Sequence, residues 1–334
     1  MHAFDFEGFE YRSRLERVAG RFFGDPFSSA ALESFQEAFE QHVRAAGPDI
    51  VWIEKAVLLQ PEGIRKARQI APEAIFVGYQ TDNPFSLRSS ERSLWRRFVD
   101  CIPEYDVHFV FRPDEVDKYR AHGARAVHVT RHHYYPSLHT PRAMADAPPE
   151  YRHDVVFVGT AIDRRVASIS RLMAEKSISL NVYGGLWDRH WAYYRYRNLF
   201  HGHVPESRYS LLIAGSKICL GYVSASNMDQ YTGRSIEIPA CGGFFLGERT
   251  DAHERLYEEG EEAEFFGSHD ECVDKIRYYL AHDERRAQIA HAGYQRCIKS
   301  GYSCVEVMKD ALSQILLDTP RRAAPASQER VSIP

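Results

Sequence analysis

The chain predicts an α/β fold built from two Rossmann-like units, each a parallel sheet flanked by helices. Three observations carry that reading. Short apolar runs alternate with segments of helical period through most of the 334 residues, the pattern of right-handed βαβ units. A stretch from Tyr134 to Asp154 holds four prolines and has no periodicity, as a linker does. The length exceeds one typical core and suits two. The expected organisation is residues 1–146 as one unit, 147–318 as a second, and 319–334 as a Pro- and Ala-rich disordered tail.

The elements follow in order. "DIVWIEKA" (Asp49 to Ala56) reads as a buried strand, and "PEGIRKARQIAP" after it as a helix closed by proline. "AIFVGYQTDNPF" (Ala74 to Phe85) is a strand running into a polar turn. "YDVHFVFRPDEVDKYRAHGARAVHVTRHH" supplies strand, helix and strand. Beyond the linker, "DVVFVGTAIDRRVASISRLMAE" is strand, turn and helix. "SLNVYGGLW", "SKICLGYV" and "GGFFLGE" give three more strands, and helices fill the chain from about Cys272 to Leu317. Two such sheets joined by a linker make a cleft, and ligands of parallel sheets bind beyond the carboxyl ends of the strands.

Composition narrows the function. Apolar content of 44% and charged content of 26% are those of an ordinary globular protein. A net charge of -4 argues against a general nucleic-acid binder. No apolar run approaches the length of a membrane span, and the N-terminal residues show no secretory h-region. The six cysteines include no C-x-x-C pair, so they read as reduced thiols of a cytoplasmic protein.

The densest polar cluster is "NMDQYTGRSIEIPACGGFFLGERTD" (Asn227 to Asp251). A helix is expected to start near Thr232 to Ser235, with a hydroxyl N-cap, an early Pro239 and a stop at Gly242. A helix start favours an anion such as a diphosphate, and Arg234 adds a forked cationic donor. Glu237, one turn in, is able to accept two hydrogen bonds from a ribose diol, with Asp229 toward a sugar beyond the phosphates. A capped helix with solvated charges accounts for the same spacing, and spacing alone leaves the two level.

The segment "YTGRSIEIPACGGFFLGERTDAHERLYEEGEEAEFFGSHDECVDKIRYYL" resembles the C-terminal half of the spore-maturation (CgeB-like) glycosyltransferase-like family. "NVYGGLW", "RRAQIAHAGYQR", "PDIVWIEKAVLL", "GYQTDNPFS" and "YDVHFVFRPDEVDKYRAHGA" extend the resemblance over most of the chain. It implies the GT-B fold, with a nucleotide-diphosphate sugar held by the C-terminal unit and an acceptor (glycan, protein or small molecule) by the N-terminal one. No cofactor or metal is implied. Many retaining enzymes of this fold carry two glutamates separated by seven residues. Here that spacing holds Asp229 and Glu237. The resemblance therefore implies that Glu237 holds the ribose, that Asp229 approaches the donor sugar, and that transfer is retaining. Asp in the first place shortens the reach by one methylene. The start, "HAFDFEGF", resembles the family's second strand, so the first βα unit is expected to be missing.

Other polar groups have a functional and a plain reading. Gly159 and Thr160 end a strand and permit close approach of a phosphate, with Arg164 or Arg165 to neutralise a leaving diphosphate. A βα turn with solvated arginines is the plain alternative. Gly184 and Gly185 pose the same choice. Asp82 ends a strand, where a carboxylate suits a general base or an acceptor-orienting group, and Asn83 suits an Asx turn before Pro84. His132, His133, His201 and His203 lack the spacing of a metal site, although His133 ends a strand that faces the cleft. "LWDRHWAYYRYRNLF" (Leu186 to Phe200) is aromatic and basic, suited to stacking or to a packed helix. "RSSERSLWRRF" suits peripheral contact with an anionic membrane or a solvated helix face. The rivals to a glycosyltransferase are a degenerate nucleotide-sugar-binding protein without turnover and another enzyme of the same architecture, such as an epimerase or sugar phosphorylase.

Overall fold

The computed structural model describes residues 27–55, 57–86 and 92–319. The start "HAFDFEGF", four residues of "RSSERSLWRRF" (88–91) and nearly all of the expected tail lie outside the described residues. The chain divides into two compact units, Met1–Thr130 with Lys309–Pro334, and Arg131–Met308. The division falls ahead of the whole Pro-rich stretch, and the chain from Lys309 onward goes with the N-terminal unit.

Among the described residues the N-terminal unit holds four parallel strands, β1 (Ile50–Glu54), β2 (Ile75–Gln80), β3 (Val107–Val110) and β4 (Ala126–Val129), in the order β1-β2-β3-β4. One sheet face packs Phe76 and Val110 against Leu32, Phe35, Phe39, Ile64, Ala67, Trp95, Phe98 and Tyr119 from the flanking helices. The other packs Ile75, Val77, Val107 and Phe109 against Ala311 and Ile315 of the C-terminal helix Cys304–Asp318. Both faces are covered, which is why these strands read as continuous apolar runs. The helix Arg92–Cys101 turns Trp95 and Phe98 inward, and Arg97 donates to the Val57 carbonyl at 2.8 Å. Those three groups of the "SLWRRF" segment therefore hold the core together.

The C-terminal unit holds β5 (His153–Val158), β6 (Leu180–Tyr183), β7 (Ser216–Gly221), β8 (Phe245–Glu248) and β9 (Glu264–Phe266), all parallel, in the order β6-β5-β7-β8-β9. Alternate residues face two cores. Val155, Phe157, Ile218, Leu220 and Leu246 enter one, and Val156, Val158, Cys219, Phe245 and Phe265 the other. The strand β9 is an element the sequence did not reveal. It is three residues long, and its Glu264 is buried, bound by Lys275 and the Tyr279 hydroxyl. A buried carboxylate at a strand start reads as a loop until its partners are known. The order reverses between β5 and β7, so this sheet has a topological switch point. No helix among the described residues is long and apolar enough to cross a membrane.

Candidate functional site

At the switch point the chain leaves β5 through Gly159 and Thr160. Gly159 donates to the Tyr183 carbonyl at 2.8 Å, and Ala161 to that of Gly185 at 3.0 Å. These bonds carry the pairing past the strand ends. Gly184 has φ +132°, and a Cβ there would stand 2.3 Å from the Gly159 carbonyl oxygen. Both conformation and space thus require glycine at 184. The Trp187 indole donates to that same oxygen at 2.9 Å. The two turns form one bonded backbone corner.

Carboxylates join this corner to the loop after β7. Asp163, itself in the left-handed region at φ 56°, accepts from the Ser224 hydroxyl at 2.6 Å and the Ser226 amide at 3.3 Å. Glu248, the last residue of β8, accepts from the Val223 amide at 3.1 Å and pairs with Arg164 at 3.3 Å. The two expected phosphate arginines have different fates. Arg165 is buried, and its Nε donates to the Val223 carbonyl at 3.4 Å. The Arg164 side chain is 60% exposed. Arg164 stays at the surface beside Glu248, while Arg165 ties its own turn to the loop after β7. Asp163, Ser224 and Glu248 were not singled out from sequence. The available signal was that Glu248 ends a strand, where polar residues of parallel sheets gather.

Asp229 belongs to the same loop system. Its amide donates to the Ser224 carbonyl at 2.9 Å, and Asn227 Nδ2 donates to its carboxylate at 3.2 Å. The helix after it spans Arg234–Ala240, with Gly233 in the N-cap place and no side-chain cap. The expected hydroxyl cap is corrected. Thr232 takes no cap role, and its amide donates to Ser235 Oγ at 3.2 Å. Ser235, inside the first turn, donates onward to His253 Nε2 at 2.7 Å, and His253 Nδ1 donates to the Glu248 carbonyl at 2.6 Å. Burial pushes His253 down to about 4, so the ring is neutral and the two bonds assign its tautomer. Gly242 at φ 75° follows the helix end, as expected.

Arg234 and Glu237 pair with one another, one turn apart. The Arg234 guanidinium also lies over the Tyr209 ring, 4.7 Å from its centroid. The Glu237 side chain is only 17% exposed. His139 packs edge-on against the same Tyr209 ring at 5.4 Å. His133 Nδ1 is buried with no hydrogen-bond partner. Burial lowers both histidines below the usual range, against the pull of the Glu237 charge.

The remaining candidates separate from this cluster. Asp82 lies in the N-terminal unit just beyond β2, paired with Lys55 at 3.0 Å. Asn83 Oδ1 accepts from the Phe85 amide at 2.9 Å, the Asx turn read from sequence. His201 bonds Asn181 at 2.8 Å, and His132 packs edge-on to Tyr231. Among the described residues no group of three or more His, Cys, Asp or Glu is placed to hold a metal ion. A depression of about 810 Å³ lined by Glu259, Glu264, Glu271, Asp274, Lys275, Tyr278 and Tyr279 lies elsewhere in the unit. Lys275 pairs there with Glu259, Glu264 and Glu271, and Arg249 with Glu259 and Glu271. Three of its four acids are thus held in these ion pairs.

Two Rossmann-like α/β units in one chain, with a topological switch point in the second, define the class: the fold is GT-B. Comparison with known proteins bears on the C-terminal unit in particular. Residues 164–313 match the glycosyl transferase-like family. No curated protein matches the sequence. Among solved structures the chain is similar to sucrose-phosphate synthase from Thermosynechococcus elongatus, at 14% identity and TM-score 0.64, over 92% of this chain and 80% of that one. It is similar to Anabaena HepE in complex with UDP-glucose, at 12% identity and TM-score 0.59, over 89% and 83%. A glycosyltransferase from Rickettsia africae shares 11% identity at TM-score 0.58, over 87% and 82%. At these identities the likeness speaks for the fold.

Proposed function

We propose that the chain is a glycosyltransferase of the CgeB-like kind, moving a sugar from a nucleotide-diphosphate donor to an acceptor hydroxyl. One observation carries the reading. At the switch point of the C-terminal sheet, the Gly159–Gly184 backbone corner and the exposed Arg164 stand together, at the point where the glycosyl transferase-like match begins. A corner without side chains lets a diphosphate come close, and the guanidinium, shared with Glu248, meets its charge. The complex of HepE with UDP-glucose, on the same fold, supports a nucleotide sugar as donor.

In this reading Arg164 meets the charge that builds on the departing diphosphate, without a metal ion in that role. Thr160 lines the corner. Thr232 and Gly233 precede Arg234, and Glu237 accepts from the ribose diol. Glu237 is already paired with Arg234, so the ribose shares this carboxylate with a guanidinium that stays to balance its charge. Asp229 approaches the donor sugar, with retention as the expected outcome. Asp82 serves the acceptor as base or orienting group once released from Lys55.

Titration of the full chain with nucleoside diphosphates, followed by donor consumption with and without candidate acceptors, tests the reading. Binding plus acceptor-dependent consumption is the expected result. Binding without consumption moves the chain to the sensor reading. Consumption that yields an isomerised nucleotide sugar, or a free sugar phosphate, moves it to another enzyme of this fold.

A further inference from the structure

Apart from Gly184, Gly185 and Trp187, the segment between β6 and the helix Glu206–Gly215 is not used by the site above. It carries two large aromatic side chains on the surface, Trp191 at 65% exposure and Tyr194 at 72%, with Leu186 at 37%. Buried or half-buried rings are the ordinary condition of such residues, and a raised pair calls for a partner. Trp191 and Tyr194 are three residues apart in the short helix Trp191–Arg195, so they share a face. The platform below them is firm. Trp187 and Ala192 are buried, Trp187 is bonded to the Gly159 carbonyl, and the Tyr194 hydroxyl donates to the Asp188 carbonyl at 3.0 Å.

The charge around the rings is mainly positive. In a chain of net charge -4, residues 188–205 contain Arg189, Arg195 and Arg197 against one acid, Asp188. All three arginines are exposed, with Arg195 against the Tyr196 ring and Arg197 against that of Tyr193.

We propose that this patch is a docking surface for an anionic membrane. Indole and phenol rings favour the bilayer interface, where the ring body is dry and the polar edge is wet. Guanidinium groups beside them reach lipid phosphates. A nucleic-acid track needs a longer row of cations along a groove, and it has no use for the aliphatic Leu186. The proposal does not depend on glycosyl transfer.

Flotation of the full chain with vesicles tests it. Vesicles of phosphatidylcholine with phosphatidylglycerol should carry the protein, pure phosphatidylcholine should carry little, and added salt should weaken the association. Brominated lipids should quench the emission of Trp191, since Trp95 and Trp187 are buried and Trp52 is half-buried. Both the W191A/Y194A and the R195Q/R197Q variants should bind on the order of tenfold more weakly or worse. These side chains are exposed, so circular dichroism should show both variants folded. No association with the anionic vesicles at low salt overturns the proposal, as does undiminished association of the W191A/Y194A variant. Binding to heparin, but not to vesicles, that is lost in the same variant assigns the patch to an anionic polymer and also overturns it.

Discussion

Pro239 sits inside the helix Arg234–Ala240 and has no amide proton to give the Ser235 carbonyl one turn back. The buried Tyr257 hydroxyl fills that place, donating to the Ser235 carbonyl at 2.9 Å. A proline that would otherwise orphan a buried acceptor is tolerated because a tyrosine from the next helix end satisfies it. Tyr257→Phe should therefore cost about 1–3 kcal/mol, the range for an unpaired buried polar group. Denaturant midpoints of the two proteins measure this, and equal midpoints would remove Tyr257 from the role. Glu237 is the residue on which the ribose assignment turns. An amide accepts at only one of its two ends, so Glu237→Gln should weaken nucleoside diphosphate binding roughly 10- to 100-fold. Calorimetry reads the change, and an unaltered dissociation constant in a folded variant would leave Glu237 as the ion-pair partner of Arg234 and nothing more.

The turns and loops at the strand ends decide what the site looks like, and they were the least legible parts of the sequence. Among the described residues, eight of the nine strands announced themselves as apolar runs between glycines, prolines and polar turns. Fully buried parallel strands leave that trace because both faces need apolar side chains. Bonds between loops leave none. Nothing in "DRR" (Asp163 to Arg165) says that Asp163 will bind Ser224, that Arg165 will turn in to Val223 and that Arg164 will stay out. Those outcomes depend on groups about sixty residues apart in sequence. The expected hydroxyl cap failed for a similar reason, because His253 draws the Ser235 hydroxyl into the core. Gly184 could be named as a phosphate-side glycine, but its need for φ +132° and its contact with Gly159 required coordinates. Gly184→Ala should destabilise the C-terminal unit by at least about 1–3 kcal/mol from strain alone. It should also weaken nucleotide binding, because the corner must shift. Thermal unfolding together with calorimetry checks both, and a variant with wild-type stability would show that the corner yields easily.

At the scale of the whole molecule the two units should respond differently to acid. In the C-terminal unit burial holds His253 and His153 down to about 4. Their unfolded value is near 6.5, so the unfolded chain binds more protons between those limits. Stability from these neutral rings is complete above about 6.5 and is lost as pH falls toward 4. In the N-terminal unit burial likewise lowers His108 to about 4, but it raises Glu115 to about 7. A raised carboxyl works the other way: its contribution is present below about 4.5 and is lost as pH rises through 7. The two oppose each other over the range where His253 and His153 act together. Calorimetric scans from pH 7 to pH 4.5 should show the transition of the C-terminal unit moving to lower temperature ahead of the other. A common shift of both transitions would contradict this assignment. The central claim is that the C-terminal unit holds a nucleotide sugar for transfer at the switch point of its sheet. The most direct measurement is calorimetric titration of the full chain with UDP and other nucleoside diphosphates, repeated with Arg164→Ala. The account predicts saturable binding of at least one of them to the wild type, weakened several-fold by loss of the exposed guanidinium. Absence of binding by the folded wild-type chain to every common nucleoside diphosphate would contradict it.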